Sequence, residues 1–218
     1  MSGTSTERLV FDYWPASDAA SGAPVRVLIL MHGRGASRQD VQGLKGHFPA
    51  GWHIVVPEAP HRAAQWGYGP GSAWYRFMGD DRPDAESLSY SLSLLDGLID
   101  ELPAIVGSPV DRVVVGGFSQ GGTMGNAYAL VHQGRAHGVL NFSGFLPSTV
   151  SVTAEHVKGI RFFWGHGLQD PSIPFSLAVK GRGVLLAAGA ALEARDYGIG
   201  HWIDPDELLD ASRWLGTI

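Results

Sequence analysis

The sequence predicts an α/β fold: one domain over residues 1–218, built on a mostly parallel central sheet with helices on both faces and no cap domain. Three observations lead there. Short, apolar, β-branched runs such as VRVLILM at 25–31 alternate with longer segments of helical period. The runs are continuously apolar, as strands covered on both faces of a parallel sheet are. Composition and length are those of one folded domain, with 44% hydrophobic and 17% charged residues in 218 positions.

Taken in order, the segment from Arg8 to Tyr13 reads as a weak, antiparallel edge strand. Val25 to Met31 is the first buried strand, followed by His32-Gly33-Arg34-Gly35. Ser37 and Asp40 then form a capping-box pattern, with Val41, Leu44 and Phe48 as the helical stripe behind it. Trp52 to Val56 is the next strand, closed by Pro57. From Asp84, leucine and isoleucine at 88, 92, 95, 99 and 102 give an amphipathic helix with one apolar face. Arg112 to Val115 reads as a strand, and a helix with Met124, Ala127, Tyr128 and Val131 turned inward follows Gly122. Gly138–Phe142, Ile160–Trp164 and Leu192–Asp196 are further strands; Phe175–Ala188 and Pro205–Leu215 are helices. Between Phe142 and Ile160 about 17 residues remain, room for a loop or short helix but not for a cap.

Composition excludes several function classes. Sixteen basic and 21 acidic residues leave a net charge of −5, and the three lysines and thirteen arginines are scattered rather than clustered. A nucleic-acid surface needs clustered positive charge and is not expected. There is no cysteine, which removes disulfides, thiolate metal sites and a cysteine nucleophile, and leans towards a reducing, cytoplasmic location. The N-terminus lacks a basic stretch followed by an apolar one, and no run approaches the roughly 18 apolar residues of a membrane span. No metal-ligand spacing and no phosphate-binding glycine motif is present, so no cofactor and no metal are expected. Oligomeric state is left open, with a homodimer among the options.

Gly117-Phe118-Ser119-Gln120-Gly121 matches G-x-S-x-G, and its surroundings are a strand before it and a helix after it. A nucleophile elbow needs that arrangement: the turn crowds the positions flanking the serine and lifts its hydroxyl clear of the sheet. The competing reading is a structural turn with a spare serine. A serine hydroxyl requires a base, and the base an orienting acid. In α/β-hydrolases the chain order is serine, acid, histidine. The candidate acids near strand ends are Asp170, Asp196 and Asp204, and of nine histidines only His201 comes after Asp170. Asp170 lies just past a strand, at the carboxyl edge where ligands bind in open α/β sheets. Asp196 is the second choice; Asp204, followed by Pro205, suits a helix N-cap. His166 precedes Asp170 and fits a role in shaping the acid's loop. The backbone N–H of Gln120 and that of Arg34, in the glycine-rich loop, are the expected oxyanion donors. The Arg34 side chain suits either a solvated surface or an anionic substrate group.

The segments LMHGRGAS, PEAP, SAWYRF, GGFSQGGTMG, FSGFLP, GHGLQDPSIP and YGIGHWI, in that order, resemble the phospholipase/carboxylesterase family that includes acyl-protein thioesterases. The resemblance implies Ser119, Asp170 and His201 as a catalytic triad and Arg34 and Gln120 as backbone donors. It also implies that Trp74 and Tyr75 help wall an acyl pocket. Arginine after His-Gly departs from the apolar residue that acyl-protein thioesterases carry there, and favours a small-molecule ester.

The expected activity is therefore serine carboxylesterase on small soluble esters through an acyl-enzyme. The alternatives are an acyl-protein thioesterase or lysophospholipase, or a binding module without turnover. The irregular stretch Pro57–Pro83 holds Trp66, Tyr68, Trp74, Tyr75, Phe77 and Met78. It is expected to set acyl selectivity through Trp66, Trp74 and Tyr75, with Phe145 and Leu146 completing the wall.

Overall fold

The computed structural model describes residues 7–18 and 24–218; the N-terminal reading at Met1–Thr6 lies outside them. Among the described residues seven strands form one sheet: β1 (Phe11–Trp14), β2 (Arg26–Met31), β3 (Trp52–Pro57), β6 (Arg112–Phe118), β7 (Gly138–Phe142), β8 (Arg161–Gly167) and β9 (Ala191–Tyr197). Their order across the sheet is β1-β3-β2-β6-β7-β8-β9. Only β1 is antiparallel, pairing Phe11 with Pro57 through Trp14 with Ile54. A small hairpin of β4 (His61–Arg62) and β5 (Ser72–Ala73) stands apart, inside the aromatic stretch.

The unbroken apolar runs resolve into two alternating sets. Val27, Ile29, Met31, Val113, Val115 and Val139 join one core cluster, while Leu28, Leu30, Val114 and Leu140 join the other. Successive strand side chains point to opposite faces, so a strand covered twice must be apolar at every position. Helices α1 (Ala85–Val106), α2 (Gln120–Val131) and α4 (Phe175–Ala187) cover the first face. Helix α5 (Pro205–Leu215) and the 3₁₀ segment Arg38–His47 cover the second. A short helix α3 (Ala154–Val157) fills part of the 143–160 connection, where no cap stands.

Two elements depart from expectation. Arg38–His47 is 3₁₀ rather than α-helical: Gly43 and Gly46 lower helix propensity, and the segment keeps only Val41 fully buried. Asp40 still accepts from the Ser37 N–H at 2.8 Å and from its hydroxyl at 2.7 Å. Helix α2 begins at Gln120, directly after the serine, and Val131, expected inward, is 52% exposed because the helix ends there. The rest of α2 is buried all round, which marks it as the central helix. Edge strand β9 carries Glu193, Arg195 and Asp196, charges that discourage pairing with another chain. No helix among the described residues is long and apolar enough to cross a membrane.

One buried charge position has a thermodynamic consequence. Glu207 of α5 is fully buried, and one of its carboxyl oxygens lacks a hydrogen-bond partner. Burial pushes its pKa up to about 8 from 4.5. The folded state therefore holds a proton that the unfolded chain releases at lower pH, and stability falls as pH rises from about 4.5 to 8. Glu207→Gln should flatten that slope and raise the melting temperature at pH 8–9 relative to the parent. An unchanged dependence of Tm on pH would show that Glu207 does not titrate in the fold.

Candidate active site

The site stands at the carboxyl ends of β2, β6 and β8. Strand β6 runs straight into Ser119, which takes φ +56°, ψ −113°, a conformation a side-chain-bearing residue adopts only under constraint. The constraint is packing: a Cβ on Gly117 or on Gly121 would overlap the Met31 carbonyl oxygen of the neighbouring strand. Glycine at both flanks lets the turn lie against β2, with Ser119 at the helix start.

His201, on the loop between β9 and α5, places Nε2 3.0 Å from Ser119 Oγ. Its Nδ1 lies 2.7 Å from Asp170 Oδ2. A carboxylate accepts, so Nδ1 carries the ring proton and Nε2 is free to accept from the serine hydroxyl. The other Asp170 oxygen accepts the N–H groups of Ser172 and Ile173, both at 2.8 Å. His166 donates from Nε2 to the Ile173 carbonyl at 2.9 Å, tying down the far end of the same loop. Its burial holds its pKa below the usual histidine value and keeps it neutral. The alternative acid, Asp196, is instead paired with Arg182 at 2.5 Å. Asp204 caps α5, accepting from the Asp206 N–H at 2.8 Å.

The backbone N–H groups of Arg34 and Gln120 bond to no other described residue. The Gly33–Arg34 peptide is fixed from behind. His32 Nδ1 donates to the Gly33 carbonyl at 2.8 Å, and its Nε2 accepts the Ala59 N–H at 3.1 Å. Trp74 donates its indole N–H to the His32 carbonyl at 3.0 Å. The Gln120 side chain also works: it accepts the Trp74 N–H and donates to the Tyr75 carbonyl, both at 2.9 Å. Reading G-x-S-x-G for its backbone alone misses this clamp. The available signal was a long amide placed opposite an irregular segment whose backbone groups need partners.

A cavity of about 420 Å³ opens beside Ser119. One wall, Tyr75, Phe77, Phe145 and Ile173, belongs to the core of the first sheet face. The other, Val41, Leu44, Phe118 and Ile203, belongs to the second. Tyr75 and Phe145 line this cavity, whereas Trp66, Trp74 and Leu146, also expected on its wall, do not. Trp66 sits between His61 and Tyr68, at ring distances of 4.9 and 5.9 Å, outside this cavity. Trp74 is wholly buried behind His32. Leu146 faces Gly181 of α4 and lines a separate, smaller cavity. Direction within an irregular segment depends on turns that carry no periodicity. Trp202, 56% exposed, stands at the rim.

These placements give distinct expectations. Phe145→Ala should shift the preferred acyl length, and Trp66→Ala should leave the chain-length profile as it is. Trp74→Ala should cost about 3–5 kcal/mol of stability, the usual loss for a large buried aromatic. Chain-length profiles and thermal melts of the three variants check this; a shifted profile in Trp66→Ala would restore that residue to the wall.

Strand order, the turn at Ser119 and the absence of a cap among the described residues define a minimal α/β-hydrolase. The chain belongs to the phospholipase/carboxylesterase family, whose model matches residues 18–218. It is 33% identical over 222 residues to acyl-protein thioesterase 1 of Eremothecium gossypii, covering 92% of each chain. It is 29% identical over 216 residues to a probable carboxylesterase of Oryza sativa subsp. japonica, covering 92% of this chain and 81% of that one. Among solved structures, esterase PE8 is similar with a TM-score of 0.79 and 25% identity, covering 97% of this chain and 100% of the other.

Proposed function

We propose that the protein is a serine carboxylesterase that hydrolyses small carboxylic esters through an acyl-enzyme at Ser119. The observation that carries the reading is the unbroken chain Ser119 Oγ, His201 Nε2, His201 Nδ1, Asp170 Oδ2, with links of 3.0 and 2.7 Å. His201 accepts the Ser119 proton as Oγ attacks the ester carbonyl, and Asp170 stabilises the imidazolium that forms. The tetrahedral oxyanion accepts from the Arg34 and Gln120 N–H groups. His201 then protonates the leaving alcohol. Water activated by the same histidine attacks the acyl-enzyme and frees the acid and Ser119. Family membership supports ester or thioester chemistry alike, since both use this machinery. A charged arginine beside an open cavity supports a small ester over a lipidated protein. The lack of cysteine supports a reducing compartment, the cytoplasm.

The test is turnover across aryl esters and acyl thioesters of increasing chain length, with concentration taken through each solubility limit. Short dissolved esters should saturate smoothly, because a site without a cap has no closure for a lipid surface to release. A preference for long acyl thioesters would favour the thioesterase alternative, and an abrupt rise where droplets form would sink the soluble-ester reading. Fluorophosphonate labelling that depends on Ser119 separates an enzyme from a binding module.

A further inference from the structure

The geometry points to the Arg34 side chain as the recognition group for a carboxylate on the acyl part of the substrate, so that half-esters of short dicarboxylic acids are preferred. This rests on the esterase reading above. Arg34 lines the cavity beside Ser119, with its guanidinium carbon 4.7 Å from the Tyr68 ring centre and 5.9 Å from that of Phe77. Aromatic faces on a guanidinium hold its plane and leave the N–H edges directed elsewhere. Among the described residues no carboxylate lies within 4.0 Å of it, whereas Arg38, Arg135 and Arg182 are each paired with one. Arg34 is exposed at the mouth of a largely apolar cavity, and its unpaired fork, resting on two aromatic faces, can meet a planar carboxylate edge-on.

The side of the cavity follows from the proton transfers. The leaving oxygen must face His201 Nε2 to be protonated, which puts the alcohol part near His201, Trp202 and Ile203. The acyl chain then runs the other way, along Tyr75, Phe77 and Phe145, the wall that carries Arg34. The other ionised side chain lining the cavity, Asp40, lies by Val41 on the opposite wall, with its carboxylate committed to Ser37. The two walls are thus oppositely charged, and an anionic acyl chain is favoured on the first and repelled from the second. Because the Arg34 N–H is itself an oxyanion donor, the anion must lie within one side chain's reach of the scissile carbonyl. That limits the acyl group to short diacids.

The experiment compares kcat/KM for the monoethyl esters of succinate, glutarate and adipate with their carboxamide counterparts. The charge of the terminal group differs while chain length is kept. The ratio of the two is read in the parent, Arg34→Gln and Arg34→Lys, so that any loss common to both substrates cancels. The parent should prefer a carboxylate by at least about tenfold, the scale of a charge-assisted hydrogen-bonded pair. Arg34→Gln should bring the ratio to one or below, Arg34→Lys should leave part of it, and added salt should shrink it in the parent. A ratio of one or less in the parent, while the carboxamide esters turn over, would overturn the proposal alone. So would a parent-like ratio in Arg34→Gln. If neither ester turns over and fluorophosphonate leaves Ser119 unlabelled, the esterase reading fails and this inference with it.

Discussion

Ser119→Ala should lower kcat for an activated aryl ester by about 10⁶-fold, and His201→Ala by a similar factor, with both variants still folded. The two effects should not add. Serine and histidine act as one unit, so the double variant should be no slower than either single one. What activity is left comes from substrate binding and the Arg34 and Gln120 donors, which both variants keep. Neither change opens a large hole, since the Ser119 side chain is small and the His201 ring lies at the cavity surface. Near-normal turnover in either variant would remove the residue from the mechanism.

Asp170→Asn should cut kcat by about 10⁴-fold through the tautomer of His201 rather than through the fold. Asp170 Oδ1 accepts two backbone N–H groups, and an asparagine carbonyl oxygen can keep both. The amide NH₂ then faces His201 Nδ1, which must accept instead of donate. The ring proton moves to Nε2 and points at Ser119, where a base is needed. Asp196→Asn breaks only the pair with Arg182, which retains bonds to the Trp164 and Arg195 carbonyls, so its effect on kcat should be small. Parallel assays with circular dichroism decide between them, and the reverse ranking would transfer the acid to β9.

The central strands were legible because burial on both faces leaves an unmistakable run, and strand Gly138–Phe142 falls where the sequence places it; helix Pro205–Leu215, marked by its Asp204-Pro205 start, does too. That Ser119, His201 and Asp170 meet in one hydrogen-bonded chain could be anticipated from their order along the chain and their places at strand ends. The 3₁₀ segment was not, because apolar spacing at 41, 44 and 48 fits either helix type once two glycines weaken the α form. The wall residues were half legible. Aromatic content announces that Pro57–Pro83 packs on something, but whether Trp66 or Phe77 faces the cavity is set by the turns around the β4–β5 hairpin. The side-chain role of Gln120 was hidden for the same reason: its partners lie 46 and 45 residues away, in a segment without period.

That amide has a consequence for anyone wishing to remodel substrate scope. Gln120 carries the proposed oxyanion donor on its backbone and bonds through its side chain to the Trp74 N–H and the Tyr75 carbonyl, so the proposed donor and the wall residue Tyr75 are tied through one residue. Diversifying 74 removes the indole that holds the His32 carbonyl behind the Arg34 peptide, and diversifying 75 alters the packing around the backbone that Gln120 holds, so both should trade selectivity against turnover. Val41, Leu44 and Ile203, on the opposite wall, have no such tie to Gln120. The protein thus offers an engineer one rigid half and one adjustable half. Libraries at 41, 44 and 203 should return more active variants than libraries of equal size at 74 and 75, and counting survivors on a single aryl ester would measure the difference.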